Sequence, residues 1–441
     1  MKAEPITITE FQKRRSELMA MMGHEGIAIV NGARLMQRNS DVDFPFRQHS
    51  DMLYLSGFPE PEAVLVLIPG REHGETILFC QERDEESERW TGEITGPERA
   101  RQLYGVDDAF PFNDIDEILP GLLENQQRVY HSMGEDRNFD GRLLRWVHGL
   151  SGYRQSGGHS PGEFVQLGQY LHELRLFKSQ TELALMRRAA DITVQAHERL
   201  MQSAVPGQFE YQLEATLLHE FMIQGARYPA YPCIVGSGDN ACVMHYVDNG
   251  RRIEDGDLVL VDAGCEYEGY AADVTRTFPI NGRFTTPQRE IYEVVLSAHE
   301  AAVAEIMPGN HWNQPHMAAM RAVTEGLVQL NILEGDIDNL MAEEAYRPYT
   351  MHRTGHWLGL DVHDVGEYRV EDQWRVFEQG MVTTIEPGIY LASDVAEIPE
   401  RYRGIGVRIE DDLLLTRKGH EILTDSLVRD AAGIEALMAN P

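Results

Sequence analysis

Two stretches of the chain repeat one pattern of glycine, apolar strand and acid. Residues 256–264 and 380–388 each begin with a glycine, continue as a short apolar run and reach an acid six residues after that glycine. Each half then supplies a second acid further along. Unpaired charges are very costly to bury, so carboxylates in apolar strand surroundings must be neutralised. A pair of metal ions would neutralise them. The acids are Asp262, Asp273, Glu386 and Glu410.

The length and the charge of the chain limit its class. At 441 residues the chain is longer than one hydrophobic core usually extends, so two domains are expected. It contains 71 Asp and Glu against 39 Lys and Arg, which gives a net charge of −32. That charge repels a phosphate backbone and argues against nucleic acid as a partner. Most of the acidity fits a solvated surface.

The cysteines and the hydropathy pattern indicate a reducing compartment. The four cysteines show neither CxxC spacing nor a disulfide framework. No apolar run approaches the ~20 residues that a spanning helix needs. Residues 1–22 lack the apolar stretch of an export signal. We therefore expect a cytoplasmic protein without a membrane partner.

Apolar runs divide the chain near residue 175. In the first part, strand-like runs alternate with helix-compatible segments, which is typical of a small α/β domain. Ser179 and Glu182 have the spacing of a capping box and predict the start of a long helix. We place the boundary before this helix, between an α/β domain of residues 1–175 and an α+β domain of residues 176–441. The second domain holds both repeats and is expected to have pseudo-two-fold symmetry. The strand-like runs of the first domain are 27–30, 63–68, 76–80 and 128–131.

A hairpin is predicted to bring the first two acids together. Asp262 and Asp273 lie on apolar stretches joined by residues 265–269, which end in a glycine that permits a turn. If the hairpin is centred between Tyr267 and Glu268, the two aspartates stand directly opposite each other, with Cβ atoms ~5 Å apart. Like charges so placed destabilise a sheet unless a cation lies between them.

In the second half, an arginine accompanies the acid. Residues 407–410 alternate in polarity, so Arg408 and Glu410 share one face of a strand. The sequence therefore predicts an arginine beside a metal-binding carboxylate.

A nitrogen ligand is expected from a histidine cluster upstream of Glu386. His352, His356 and His363 lie within twelve residues, and glycines at 355 and 359 permit close backbone approach. Carboxylates with one imidazole form an oxygen-rich set that favours Mn²⁺, Fe²⁺, Co²⁺ or Mg²⁺ over thiolate-bound zinc. Two ions ~3.5–4 Å apart, bridged by carboxylates and a hydroxide, would polarise a carbonyl and supply the nucleophile. Hydrolysis is the leading reaction class.

Together these motifs resemble the Xaa-Pro aminopeptidases (aminopeptidase P) of the pita-bread metallopeptidases, close to the bacterial cytoplasmic branch. The resemblance covers nearly the whole chain and implies an N-terminal creatinase-like α/β domain followed by a pita-bread α+β domain. Residues 369–376 match the family poorly and read as an insert near the rim of the site. The matching motifs are residues 44–51, 54–58, 227–229, 235–238, 245–246, 262–264, 273–278, 356–359, 362–366, 386–388 and 408–411.

The resemblance implies a dinuclear metal centre with two Mn²⁺, with Co²⁺ or another divalent ion as the alternative. Asp273 and Glu410 would bridge both ions, Asp262 would bind one and His356 the other. Glu386 would bind metal and also act as general base toward the bridging hydroxide. The implied ligands are thus Asp262, Asp273, His356, Glu386 and Glu410.

The resemblance also implies substrate contacts. His245 and His363 would hydrogen-bond the scissile peptide and stabilise the tetrahedral intermediate. His352 is a further site histidine, with support of a ligand as the other interpretation. Tyr390 and Arg408 would orient ligands. Two residues of the N-terminal domain complete the set: Trp90, for the proline ring or for a subunit contact, and Arg154, at the mouth of the site.

The implied reaction is removal of the N-terminal residue from peptides with proline in the second position. Proline lacks an amide N–H and has a fixed φ, so peptidases that bind that N–H cannot use it. The alternative is a prolidase, an Xaa-Pro dipeptidase, which must cap the free carboxylate of a dipeptide. The resemblance further implies a homotetramer.

Overall fold

The computed structural model describes residues 4–152 and 158–439. They form two compact units: an N-terminal unit of Ile6–Arg175, and a C-terminal unit that begins at Leu176 and also includes residues 4–5. Among the described residues, no helix is both long and apolar enough to cross a membrane. Cys80, Cys233, Cys242 and Cys265 are all free thiols.

The N-terminal unit is built around one mixed sheet with strand order β6-β5-β4-β1-β7-β8. Strand β4 is antiparallel to β1 and β5, and the remaining pairs are parallel. The predicted strand runs correspond to β1, β4, β5 and β7. The helices are α1 (Ile8–Met22), α2 (Ser50–Ser56), α3 (Glu85–Thr91), α4 (Gly96–Tyr104), α5 (Ile115–Leu123), α6 (Arg137–Leu150) and α7 (Gly168–Leu176). The strands are β1 (Gly26–Asn31), β2 (Gln37–Asn39), β3 (Val42–Asp43), β4 (Val64–Leu67), β5 (Thr76–Cys80), β6 (Asp108–Pro111), β7 (Arg128–His131) and β8 (Glu163–Gln166).

Alternating side chains of this sheet pack on α5 and α6. Ile27 and Ile29 from β1 are fully buried in one cluster with Leu119 from α5 and Leu143 from α6. This apolar face explains why the strands and the two helices form together.

A charged group is buried in the same unit. Asp51 accepts a hydrogen bond of 2.7 Å from Nη1 of Arg175, and Nε2 of His172 lies 3.7 Å from its other oxygen. Burial by itself raises the pKa of Asp51, but the hydrogen bond from His172 and the charge of Arg175 lower it to about 2. The carboxylate is therefore ionised and paired at neutral pH.

The C-terminal unit carries both glycine–acid repeats. The helices are α8 (Gln180–Ser203), α9 (Glu210–Ile223), α10 (Thr286–Ala304), α11 (Asn313–Gln329), α12 (Ile337–Ala342) and α13 (Ala431–Met438). The strands are β9 (Tyr228–Pro229), β10 (Ile234–Ser237), β11 (Leu258–Asp262), β12 (Cys265–Tyr267), β13 (Tyr270–Ala271), β14 (Thr275–Pro279), β15 (Arg369–Val370), β16 (Gln373–Trp374), β17 (Val382–Ile385), β18 (Gly388–Leu391), β19 (Ile405–Arg408), β20 (Asp411–Leu415) and β21 (His420–Ile422).

The two repeats occupy equivalent places in two antiparallel sheets. Strand β11 of the first repeat pairs with β14, and strand β17 of the second repeat pairs with β20. In each half the second acid lies just before the partner strand: Asp273 precedes β14, and Glu410 precedes β20. The repeat in the sequence is thus a repeat in the topology.

The predicted capping box at the start of α8 is confirmed. The side chain of Ser179 accepts a hydrogen bond from the amide of Glu182 at 3.3 Å, and the Glu182 carboxylate accepts one from the amide of Ser179 at 2.9 Å. Two amides at the helix start are thereby satisfied.

The predicted register of the first hairpin is wrong by two positions. Asp262 pairs with Thr275 rather than with Asp273. The turn is centred one residue later than expected, because Glu268 and Gly269 both have positive φ, 50° and 87°. Two consecutive left-handed residues are typical of a tight type I′ hairpin turn, in which glycine is readily accommodated. A register shift of two residues keeps Asp262 and Asp273 on the same face of the sheet. The two side chains are then diagonal neighbours instead of standing directly opposite each other.

Candidate active site

A cavity of about 860 Å³ lies in the C-terminal unit. It is lined by the histidines expected to contact substrate, His245, His352 and His363, and by Arg408. The structure also brings every predicted metal-binding side chain into its wall. These are Asp262, Asp273, His356, Glu386 and Glu410.

The centre of this group has the spacing of a metal site. Asp273, His356 and Glu410 are buried, and each offers a ligand atom within 4.8 Å of the others. Nε2 of His356 lies 3.2 Å from Oδ2 of Asp273 and 3.9 Å from Oε1 of Glu386. The other ring nitrogen, Nδ1, lies 2.9 Å from the carbonyl oxygen of Trp357. Because a carbonyl only accepts, Nδ1 donates there, and Nε2 faces the carboxylates.

Backbone pairing holds His356 beside Glu386. The amide of Thr384 donates to the carbonyl of His356 at 3.0 Å, and the amide of Glu386 donates to the carbonyl of Thr354 at 2.9 Å. A Cβ at Gly355 would lie 2.1 Å from the carbonyl oxygen of Thr384. Only glycine permits this approach, as the sequence predicts, so the histidine loop lies directly on β17.

Tyr231 is a site residue that the sequence analysis missed. Its hydroxyl lies 2.6 Å from Oδ1 of Asp262 and also contacts Oδ1 of Asp273. A hydroxyl has one hydrogen, so it cannot fully satisfy two carboxylates. No periodicity or repeat marks this tyrosine, which lies between Ala230 and Pro232.

Arg408 connects the first repeat to the second. Its Nη2 donates to Oδ2 of Asp262 at 2.5 Å, and its Nε donates to Oγ1 of Thr275 at 3.1 Å. Its Nη1 donates to the hydroxyl of Tyr390 at 2.9 Å, and that hydroxyl lies 2.7 Å from Nε2 of His352. A planar guanidinium suits this task because its donors have fixed directions.

The protein alone supplies too little positive charge to balance the buried acids of this site. Burial, reinforced by neighbouring carboxylates, raises the pKa of Asp273 and raises that of Glu410 strongly. Burial also raises the pKa of Glu386 to about 7. Clustered acids of this kind cannot all ionise without added positive charge. Carboxylate oxygens with one imidazole nitrogen match the ligands of divalent ions such as Mn²⁺, so the residues present fit a metal.

The histidines around the acids are in different charge states. Burial and the charge of Arg408 lower the pKa of His352 to about 4, so its ring is neutral at neutral pH. Burial also lowers the pKa of His363, whose ring centroid lies 4.2 Å from that of His356. For His356 burial lowers the pKa, but the hydrogen bond and charge of Asp273 outweigh burial and raise it to about 9.

A second buried ion pair, between Arg276 and Asp411, lies next to the segments that carry the acids. Arg276 and Asp411 are both fully buried, and Nη2 of the arginine donates to Oδ1 of the aspartate at 2.8 Å. Nη1 of Arg276 also donates to the backbone carbonyls of Glu410, at 2.6 Å, and Thr275, at 3.0 Å. The side chain of Arg276 thus joins the segment that follows Asp273 to the segment that carries Glu410.

Trp90 and Arg154 were predicted from the N-terminal domain. Trp90 lies on α3, and its side chain is 86% exposed. Arg154 lies outside the described residues. Their roles stay predictions.

Comparison with known proteins identifies the family. Residues 184–417 match the model of metallopeptidase family M24, and residues 11–130 match the model of the aminopeptidase P N-terminal domain. A Xaa-Pro aminopeptidase of Escherichia coli (strain K12) is 47% identical over 434 residues and covers 98% of both chains. The chain belongs to the Xaa-Pro aminopeptidases of family M24. It is therefore a hydrolase of the metalloaminopeptidase class.

Solved structures of relatives agree with this assignment. Pseudomonas aeruginosa aminopeptidase PepP is 53% identical, with a TM-score of 0.97 and coverage of 98% of both chains. A zinc-substituted E. coli aminopeptidase P in complex with product is 46% identical, with a TM-score of 0.96 and coverage of 99% of both chains. The expected fold class, an α/β creatinase-like domain with a pita-bread α+β domain, is confirmed.

Proposed function

We propose that this protein removes the N-terminal residue from peptides whose second residue is proline. The observation that carries the proposal is the buried group of Asp273, His356 and Glu410 within a cavity large enough for a short peptide. The relatives named Xaa-Pro aminopeptidase support the substrate class. Because both relatives are named for the aminopeptidase activity, the alternative of a prolidase is not favoured.

The metal would be held by the five predicted ligands. We propose two divalent ions, with Mn²⁺ as the native pair and Co²⁺ as the alternative, because oxygen donors dominate the set. When bound, a pair of ions sharing a water would polarise the scissile carbonyl and lower the pKa of that water. One E. coli relative is described as zinc-substituted, so the metal is to be measured rather than assumed. The ligands would be Asp262, Asp273, His356, Glu386 and Glu410.

Glu386 is the proposed general base. Its carboxylate lies beside the other proposed ligands, with Oε1 3.9 Å from Nε2 of His356, where it could accept a proton from a water held by the metal ions and return it. His352 is neutral, so its one ring N–H, on Nδ1, is donated to the carbonyl of Arg353 at 2.8 Å, and Nε2 accepts from the hydroxyl of Tyr390 at 2.7 Å. We propose that His352 supports the site through this hydroxyl, to which Arg408 also donates.

The remaining histidines are proposed to bind the peptide. His245 and His363 line the cavity and are exposed to it, so they can donate hydrogen bonds to the scissile peptide. Apolar side chains such as Ile234, Met244 and Val362 line the same cavity and suit a proline ring. Trp90 and Arg154 in substrate binding, the homotetramer and the cytoplasmic location stay predictions.

Experiments on the wild-type protein and on one variant test the proposal. The wild-type protein should cleave Ala-Pro-Ala much faster than the dipeptide Ala-Pro, and chelation should abolish cleavage until Mn²⁺ is restored. Preference for the dipeptide would indicate a prolidase instead. Glu386→Ala should abolish turnover and weaken metal binding, measured by elemental analysis after dialysis. Glu334→Ala, which alters an exposed acid of the same unit, is the matched control and should retain both.

A further inference from the structure

A short hairpin, formed by β15 and β16, lies next to the cavity. Strands β15 and β16 pair through Arg369 with Trp374 and Val370 with Gln373. The ring of Trp374 lines the cavity. The hairpin therefore presents an indole to any molecule that occupies the cavity.

The base of this hairpin is anchored in buried aromatic packing. The amide of Arg375 donates to the carbonyl of Tyr368 at 3.0 Å, and the amide of Trp312 donates to the carbonyl of Arg375 at 2.8 Å. The ring of Tyr368 stacks on that of Trp357, with an interplanar angle of 5° and centroids 5.6 Å apart. Its centroid is 4.5 Å from that of Trp312. Because the base is held in this way, the position of Trp374 is preorganised.

Two guanidinium groups flank the Trp374 ring. The Cζ of Arg369 lies 4.1 Å from the ring centroid, and the Cζ of Arg353 lies 5.2 Å from it. Both distances are within the range of cation–π contacts. Arg353 also lines the cavity. We call Arg353, Trp374 and Arg369 the arginine–tryptophan rim.

Neither arginine has a carboxylate partner among the residues that the structure describes. Arg353 donates to the neutral Oδ1 of Asn313 at 2.6 Å, and the side chain of Arg369 contacts the indole. The nearby acid Glu344 is paired with Arg347 at 3.0 Å. The turn of the same hairpin carries Glu371 and Asp372, but no ion pair joins either acid to Arg353 or Arg369 in the described structure, so both guanidinium groups can accept a carboxylate.

The reaction indicates which part of a substrate reaches this rim. An aminopeptidase needs room for one residue on the amino side of the scissile bond, so most of the 860 Å³ cavity must hold the proline and the residues after it. The acids at the metal site repel a carboxylate, whereas the rim attracts one. Guanidinium groups pair well with carboxylates because their donors form a planar fork.

We propose that Arg353 and Arg369, held in place by Trp374, form a carboxylate-binding subsite for the part of the substrate on the carboxyl side of the proline. This inference rests on the proposed function. Two sources supply the same chemistry: the C-terminal carboxylate of a tripeptide and an acidic side chain at the third position.

The experiment compares matched peptides that differ only in charge. Ala-Pro-Ala is compared with its C-terminal amide, and Ala-Pro-Glu-amide with Ala-Pro-Gln-amide, by kcat/KM at low and high salt. The variants are Arg353→Met and Arg369→Met. Arg417→Met removes an exposed arginine elsewhere in the same unit and is the matched control for net charge.

The expected result is a lower preference for the charged peptide. Exposed ion pairs are weak, so each variant should lower the charged-to-neutral ratio of kcat/KM by about two- to five-fold, mainly through KM. High salt should lower the wild-type ratio as well, because it screens exposed charges. Arg417→Met should keep the wild-type ratio.

The outcomes distinguish binding of the C-terminal carboxylate from binding of an acidic side chain. They also distinguish failure of the subsite proposal from failure of the proposed function. A response confined to the Ala-Pro-Ala pair identifies the C-terminal carboxylate, and a response of the Glu and Gln pair identifies an acidic side chain. Unchanged ratios for both pairs in both variants overturn the subsite while leaving the aminopeptidase activity intact. Failure of the wild-type protein to cleave any of these peptides refutes the proposed function and the subsite with it. Because Arg353 adjoins His352, a general loss of activity in Arg353→Met makes Arg369→Met decisive.

Discussion

Metal-free protein is expected to lose stability as the pH rises toward neutrality. Burial raises the folded-state pKa of Glu386 to about 7, against an ordinary value of 4.5. Between these values the folded state binds a proton that the unfolded state has released. Stability falls with pH wherever the folded state holds more protons, so this contribution is complete below 4.5 and disappears as pH rises through about 7.

The size of the change in stability with pH follows from the pKa shifts of the buried groups. The gap between the two pKa values of Glu386 corresponds to roughly 3 kcal/mol. Asp273 and Glu410 have raised pKa values for the same reason, burial, and act in the same direction. His356, whose pKa is raised to about 9, also loses its contribution as pH rises. A divalent ion binds the ionised carboxylates, so metal should cancel or reverse the slope.

The assay is urea unfolding of chelator-treated protein at several pH values from about 5 to about 8, with and without Mn²⁺. Glu386→Gln is the comparator, because glutamine keeps the shape and stays neutral. Over this range the free energy of unfolding of the variant should change with pH by roughly 2.5 kcal/mol less than that of the wild type. Metal-free stability that is constant or rises with pH, or an equal slope in Glu386→Gln, would refute the reasoning.

Three further substitutions have expected outcomes. Tyr231→Phe removes the hydroxyl that contacts both Asp262 and Asp273, two of the proposed ligands, and should weaken metal binding by about 10- to 100-fold, measured by metal titration, with the fold unchanged by circular dichroism. Asp51→Asn removes the carboxylate that Arg175 contacts in the N-terminal unit and should cost about 3 kcal/mol, measured by denaturant unfolding; a loss below about 1 kcal/mol contradicts this. Ser179→Ala removes half of the capping box and should lower stability by about 1 kcal/mol without changing kcat/KM.

Local signals in the sequence predicted local structure well. The cap formed by Ser179 and Glu182 was predictable because both hydrogen bonds join residues three apart in the chain. Strands β1, β4, β5 and β7 of the N-terminal sheet were predictable from their mainly apolar runs, whereas the two edge strands, β6 and β8, are less buried and were not predicted. The sequence predicted that the backbone approaches closely at Gly355. It did not predict that the partner is Thr384 on β17.

Features that depend on tertiary geometry were harder to predict. The hairpin register failed because it depends on which two residues adopt positive φ, and Glu268 does so although it is not a typical left-handed residue. Tyr231 reaches Asp262 and Asp273 only because the fold brings a loop to the sheet edge. The exposed arginines around Trp374 also show no pattern in the sequence, since an indole and its flanking cations meet only in the folded hairpin.

The bonds from Arg276 to the carbonyls of Thr275 and Glu410 have a consequence for how the enzyme matures. Asp262 and Asp273 leave the ribosome long before Glu410, so the guanidinium of Arg276 cannot donate to the carbonyl of Glu410 until that later segment has emerged. A nascent chain that stops before Glu410 therefore lacks one of the five proposed ligands. The proposed metal centre can accordingly be completed only in chains that have been synthesised and folded through to the second repeat.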